Sequence, residues 1–285
     1  MNAQGQTFCG VEGWDPAGRY DVVVVGIPSS AGSLAGSRAC DGPALVRRVS
    51  AVLAHRSPGT SGWFDLERDR TLCRGLRIAD AGDVGPDAGD EDRPNATLAA
   101  RLERIRRTCR LLVVLSGDDS WTYEVMATQR GRLLHLDAHE DRNPYQTGAL
   151  NHANVIGRLL DDQRSLLVGQ WGRRGLSPEP PRDCGRHLAL RSEAAASAFA
   201  AEEGTELHIA LDVDVVDPRE MSSVTCPLPG GPTLASVEAL CRSAAGLQTL
   251  SLSEFAPRGD PRSLVEAYAL VQLLLRVVDA TVMRE

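Results

Sequence analysis

An α/β fold, with a mostly parallel sheet covered by helices on both faces, is predicted by three observations. Short apolar runs alternate along the chain with segments of helical spacing. Several of those runs are unbroken, as in Asp21 to Ile27 (DVVVVGI), the pattern of strands buried on both sides. Some of them also stop abruptly in acidic tips, and an open parallel sheet places its chemistry outside the carboxyl ends of its strands.

Asp21 to Ile27 is the first strand. The stretch after it, through Gly32, Gly36 and Gly42-Pro43, contains neither Gly-x-Gly-x-x-Gly nor Gly-Lys-Ser/Thr, so it reads as a loop before a helix opening near Pro43. Leu76 to Ala79 is a short strand leading into Asp80-Ala81-Gly82-Asp83-Val84. From Ala96 to Cys109 the apolar stripe Leu98, Leu102, Ile105, Cys109 marks a helix. Leu111 to Leu115 is a buried strand ending in Ser116-Gly117-Asp118-Asp119-Ser120, and Leu133 to Leu136 another, running into Asp137-Ala138-His139-Glu140-Asp141-Arg142-Asn143. Tyr145 to Asn151 is a loop, after which His152 opens a helix to Leu160. Leu166 to Val168 is a strand and Ser192 to Ala201 an Ala-rich helix. Leu207 to Leu211 is a strand tipped by Asp212-Val213-Asp214 and followed by Asp217-Pro218. A helix from Leu234 to Ala245, a strand from Leu247 to Leu252 ending in Ser253-Glu254, and an amphipathic helix from Leu264 to Ala280 complete the chain.

At 285 residues and 42% hydrophobic content the chain can bury a full core, and no linker divides it; a single domain over 1–285 is expected, with 1–20 as an N-terminal extension. The formal charge of -7 and the absence of basic clusters exclude nucleic acid as a partner. All 31 basic residues are Arg. Seven cysteines, an odd number without a Cys-x-x-Cys pair, predict a reduced, cytoplasmic setting. Met1 to Tyr20 lacks the basic-then-apolar pattern of a secretory signal, and Leu264 to Val278 is interrupted by Glu266, Gln272 and Arg276, so no membrane association is expected.

The chemistry concentrates at the acidic tips. Asp137, His139 and Asp141 are spaced by two, so an extended backbone turns all of them to one side, as metal ligands require. Asp212 and Asp214 repeat the design, and two acids at one strand tip repel unless a cation lies between them. One acid-rich turn alone would read as a solvated surface loop; two, each following a buried strand, point to a metal centre. His135 and His208 lie inside strands and are expected to be core histidines.

At these residues the sequence resembles the ureohydrolases, the family of arginase, agmatinase and formimidoylglutamase. The match runs in order through Gly26-Ile27-Pro28 with Gly42-Pro43, Asp80 to Val84, Gly117 to Ser120, Asp137 to Asp141, Asp212 to Asp214 with Asp217-Pro218, Pro229-Gly230-Gly231 and Glu254. The resemblance implies a three-layer α/β/α fold and two Mn2+ per chain. Asp137 and Asp212 would be shared by both ions, Asp141 would hold one, and His139 with Asp214 the other. Hard carboxylates with an imidazole suit Mn2+. Calcium is disfavoured by the lack of a twelve-residue Asp-x-Asp-x-Asp-Gly loop. One departure stands out: the family usually reads Gly-Gly-Asp-His-Ser where this chain has Ser116-Gly117-Asp118-Asp119-Ser120, so Asp119 occupies a histidine ligand's place.

The function implied is hydrolysis of a guanidino C–N bond to urea and an amine, with two metals activating water. His152 matches the proton-shuttle position and Glu254 can pair with a guanidinium group. Asp141 is counted with them as catalytic, Asn143 as a substrate contact, and Glu140 as added negative potential. The substrate is expected to be arginine-like or another small cationic guanidino compound, free or within an Arg-containing peptide. The alternatives are a metal-poor, non-catalytic relative that binds a partner, which Asp119 would favour, and a formimidoylglutamase-like or single-zinc deacetylase-like amidohydrolase. A homo-oligomer is usual in the family.

Overall fold

A computed structural model describes residues 6–34, 36–54, 61–85, 96–142, 148–162, 165–176 and 184–283. Its centre is a nine-stranded sheet made of β1 (Glu12–Gly13), β2 (Tyr20–Ile27), β5 (Ile78–Asp83), β6 (Cys109–Ser116), β7 (Gly131–Leu136), β8 (Leu166–Trp171), β9 (His187–Ala189), β10 (Leu207–Asp212) and β11 (Leu247–Ser253). The spatial order is β1-β5-β2-β6-β11-β10-β7-β8-β9, and every neighbouring pair is parallel. A separate antiparallel hairpin joins β3 (Trp63–Asp65) to β4 (Arg70–Leu72).

Strand side chains alternate between two cores, which is why their sequences read as unbroken apolar runs. On one face, Val22, Val24, Leu111, Val113, Leu115, Leu134 and Leu136 pack with residues of α1 (Gly42–Ser50), α5 (Glu193–Ala201), α6 (Leu234–Ser243) and α7 (Pro261–Val282). On the other, Val23, Val25, Leu112, Val114 and Leu133 pack with α2 (Ala96–Arg106), α3 (Thr122–Met126) and α4 (Val155–Asp162). The result is the three-layer α/β/α architecture. Among the described residues, no helix is long and apolar enough to cross a membrane.

Register decides where the chemistry falls. Leu115 on β6 pairs with Leu252 on β11, Leu252 with Leu211 on β10, and Leu211 with Leu136 on β7. Four leucines thus form one row across four adjoining strands, and everything just beyond that row shares one edge. Ser116, Ser253, Asp212 and Asp137 come next.

Several elements differ from the sequence expectation. β5 continues through Asp80 to Asp83 instead of stopping at Ala79, because Arg47 of α1 reaches both acids: its Nε is 2.8 Å from Asp80 Oδ2, and its terminal nitrogens bond Asp80 Oδ1 and Asp83 Oδ1. Asp80 Oδ2 also accepts the Phe8 amide at 2.7 Å. The Asp80-to-Val84 motif is therefore a structural clasp. α7 begins at Pro261, capped by Asp260, whose Oδ1 accepts the Ser263 amide at 2.8 Å. α4 starts at Val155 and not at His152, because the Asn154 side chain accepts the Asn151 amide and the Asn151 side chain accepts the Ala153 amide, which holds the intervening residues in a turn.

Arg47→Ala would leave the Asp80 carboxylate buried and without its cation. It is expected to cost about 3–5 kcal/mol of folding stability, seen as a lower urea midpoint in equilibrium unfolding.

Candidate metal centre

Beyond the leucine row, the backbone of each central strand turns so that its acids meet. After β6, the Asp118 side chain caps a single helical turn: Oδ1 accepts the Ser120 amide at 2.9 Å and Oδ2 accepts the Gly32 amide at 3.0 Å. This seats the glycine-rich loop that follows β2 directly on the site. A Cβ at Gly117 would fall 1.9 Å from the Ser29 carbonyl oxygen, so only glycine fits there. After β7, Asp141 adopts φ 51, and its carbonyl accepts the Ile156 and Gly157 amides at 3.0 and 3.1 Å. The start of α4 thereby holds the metal loop in a conformation that L-residues seldom adopt. After β10, Asp212 Oδ1 accepts the Asp214 amide at 2.8 Å. Arg174 fastens the same wall, with its guanidinium donating to the carbonyls of Asp214 and Val215 at 2.8 and 2.9 Å.

Two ligand groups result. Asp119, His135, Asp137 and Asp141 form one, Asp137, His139 and Asp214 the other; within each, one donor atom per residue lies within 4.8 Å of the rest. Asp137 belongs to both. His139 Nδ1 is 3.0 Å from Asp214 Oδ2 and 3.4 Å from Asp137 Oδ1. The expected residues Asp119, Asp137, His139, Asp141 and Asp214 are therefore brought together. Asp212 is buried beside them but falls in neither group. Asn143 lies outside the described residues.

The donor set fits divalent metal. Asp137 Oδ2 is buried and makes no hydrogen bond, although His135 Nε2 is 3.3 Å away. An oxygen left in that state costs free energy unless something else takes its lone pair. Burial, with the charge of Asp137, drives the Asp141 carboxyl well above its ordinary range. Burial and Asp214 do the same to Asp212, and burial and Asp137 push Asp214 up to about 6. Burial opposes charge on His139, yet the carboxylates of Asp137 and Asp214 raise it to about 10. Protons stand where cations would otherwise balance the charge. The thiol nearby, Cys226, is raised by burial and offers no thiolate.

Glu254 and His152 flank this cluster. Glu254 follows β11 with φ 60 and is 3% exposed, not a surface acid. Its Oε1 accepts the Asp119 amide at 3.1 Å and faces His152 Nδ1 at 3.2 Å, while Oε2 accepts the Thr225 hydroxyl at 2.8 Å. The Leu34 amide donates to His152 Nε2 at 3.3 Å, so the ring proton sits on Nδ1. Glu140 does not face the cluster with free charge; its Oε1 is 3.1 Å from Arg173 and 3.5 Å from Arg142.

Both strand histidines are buried and hydrogen-bonded, as core histidines are. His208 is bonded to the Arg130 carbonyl at 3.0 Å and lowered by burial to about 4. His135 is wholly buried and bonded to Gln170, and its Nε2 lies 3.2 Å from an acid of the cluster, Asp119 Oδ2. The signal was its position two residues before Asp137, which on a strand points both side chains the same way.

The arginase family model matches residues 20–278. The chain is 29% identical over 274 residues to proclavaminate amidinohydrolase of Streptomyces clavuligerus, covering 86% of this chain and 84% of that one. It is 27% identical over 281 residues to an agmatinase of Edwardsiella ictaluri (92% and 88%). The solved structure of the Streptomyces clavuligerus proclavaminate amidinohydrolase superposes with TM-score 0.75 at 24% identity, over 98% of this chain and 100% of that chain. A Medicago truncatula arginase does so with TM-score 0.68 at 19% identity, over 91% and 86%.

Raised pKa values mean that the folded, metal-free chain holds protons that the unfolded chain releases, so its stability falls as pH rises. The contribution of Asp214 is lost up to about 6 and that of His139 up to about 10. Divalent metal competes with the same protons. The gain in melting temperature on adding Mn2+ is expected to be larger at pH 8 than at pH 5.5, measured by calorimetry of chelator-treated and reloaded protein.

Proposed function

The chain belongs to the arginase family and is a metal-dependent ureohydrolase, and on that premise we propose that it hydrolyses the C–N bond of a small cationic guanidino compound, releasing urea and an amine. The observation that carries this reading is the pair of ligand groups sharing Asp137, with a buried glutamate beside them. Asp119, Asp137 and Asp141 would hold one Mn2+, and Asp137, His139 and Asp214 the second, with Asp212 buried beside both groups as a further carboxylate. Bound there, the metals would supply an activated water at neutral pH.

The chain's own groups do the rest. Glu254 presents a carboxylate, already anchored by the Asp119 amide and Thr225, to a guanidinium group; anchoring in advance spares the ordering cost of binding. The negative field of the cluster draws a cation inward and orients it. His152 holds a proton on Nδ1 against Glu254 Oε1. The acid form needs a second proton on Nε2, which would displace the Leu34 amide; burial works against that charge, but Glu254 raises the ring's pKa, so the imidazolium can serve as the acid for the departing amine. Its acid form is lost as pH rises, which places the falling limb of the rate profile on the alkaline side. The single-zinc deacetylase reading is disfavoured, because Asp141 and Asp214 both join the cluster. The described cysteines are all free thiols, which fits the cytoplasm.

Incubating Mn2+-loaded protein with arginine, agmatine, guanidinobutyrate and Arg-containing peptides, with urea as the readout, is expected to reveal turnover of at least one. No urea from any of them, with metal bound, would remove the hydrolase reading. With the best substrate, Glu254→Gln is expected to lower kcat/KM about ten- to a hundredfold, the ~1.5–3 kcal/mol of a hydrogen bond to a charged group. Asp137→Asn is expected to lose manganese from both groups in equilibrium dialysis.

A further inference from the structure

A line of polar side chains enters the metal cluster from the edge of the sheet. Arg142 NH1 lies 3.1 Å from His187 Nδ1. His187 Nε2 lies 3.0 Å from Gln170 Oε1, and Gln170 Nε2 lies 3.0 Å from His135 Nδ1. His135 Nε2 ends the line 3.2 Å from Asp119 Oδ2.

The direction of every bond in this line is determined. A guanidinium group has donors and no acceptor, so His187 Nδ1 must accept, and the proton of its neutral ring lies on Nε2. That proton requires an oxygen opposite it, which sets the Gln170 amide. The opposite end of the amide agrees, since the carbonyl oxygens of His139 and Glu140 lie 2.9 and 3.3 Å from Gln170 Nε2 and share its second proton, where an amide oxygen would be repelled. His135 Nδ1 therefore accepts from Gln170, and Nε2 carries the proton, directed at Asp119.

We propose that His135, although it stands among the candidate ligands, is not a metal ligand but a positioning residue that donates from Nε2 to the Asp119 carboxylate, its tautomer dictated by the line from Arg142. This rests on the two-metal reading of the site. Ligation through Nε2 would need the proton moved to Nδ1, where it would meet the Gln170 amide N–H. Asp119 is otherwise held by Thr122 and Ser253, whose hydroxyls donate to Oδ1 at 2.8 and 2.7 Å. With Oδ1 saturated and His135 on Oδ2, the carboxylate has one lone pair left for a metal. A chain with carboxylate in place of a histidine ligand thus offsets the added charge with an N–H from β7, which β11 and β10 separate from β6 in the sheet.

Mn2+ titration followed by EPR tests this on wild type, His135→Gln, which keeps an N–H donor near the Nε2 position, and His135→Phe, which removes it. Wild type is expected to bind about two ions. His135→Phe is expected to bind one of them about ten- to a hundredfold more weakly, while His135→Gln stays within about threefold of wild type. Equal affinity in His135→Phe would overturn the role, and so would a loss in His135→Gln as large as in His135→Phe. Pulsed EPR of wild type labelled with 15N-histidine needs no variant: one coordinated imidazole, from His139, is expected, and two would make His135 a ligand. Failure of wild type to bind Mn2+ at all would instead sink the underlying two-metal reading, and this proposal with it.

Discussion

Negative charge gathered at one point and shielded from water is the constraint on which this molecule turns. Asp119, Asp137, Asp141, Asp212, Asp214 and Glu254 are all buried at the carboxyl ends of four adjoining strands. Taking even one carboxylate out of water is expensive unless it is paired or neutralised. The surrounding structure meets that cost locally wherever it can. Backbone amides of Ala138, Asp119 and Asp214 point at the acids, hydroxyls of Thr122, Ser253 and Thr225 add donors, and three histidines face in. What these leave unmet, above all at Asp137 Oδ2, is a buried lone pair that suits a divalent cation.

Holding the acids in place takes a strained backbone as well as donors. Among the described non-glycine residues with positive φ, Asp141 and Glu254 are the ones at the cluster. Each is tied down: Asp141 by the first amides of α4, and Glu254 by its own amide on the Gly117 carbonyl at 2.8 Å. Such conformations cost of order 1–3 kcal/mol each and persist because the neighbours over-determine them. Gly172 serves the same purpose from the opposite side. A Cβ there would lie 2.3 Å from Val215 and 2.8 Å from the Asp137 carbonyl oxygen, so its absence lets β8 close on the metal loop.

Much of this was legible in the sequence, for a physical reason. Strands buried on both faces announce themselves as apolar runs, and a parallel sheet sends their ends to one edge, so the tips after Leu115, Leu136, Leu211 and Leu252 could be named without coordinates. Elements with little apolar surface left no such trace. The strand at Glu12–Gly13 is exposed throughout, and His187–Ala189 is only partly covered, so both are defined by backbone pairing alone. β5 was cut short at Ala79 because its acidic end is stabilised by Arg47, more than thirty residues earlier in the chain. For His135 the single-strand pattern reports that the residue is buried, but not which neighbour it faces; that depends on register against β10 and on the loop carrying Asp119.

The position of β11 carries a consequence for how the molecule comes into being. It is the final strand in the chain, yet it lies between β6 and β10 in the middle of the sheet. Until the ribosome has released residues 247–253, the halves of the sheet on either side have no common neighbour, and Asp119 has no route to register with Asp212. Assembly of the acidic cluster and sheet closure thus wait for β11, after a period in which the open edges of β6 and β10 need protection from pairing with other chains.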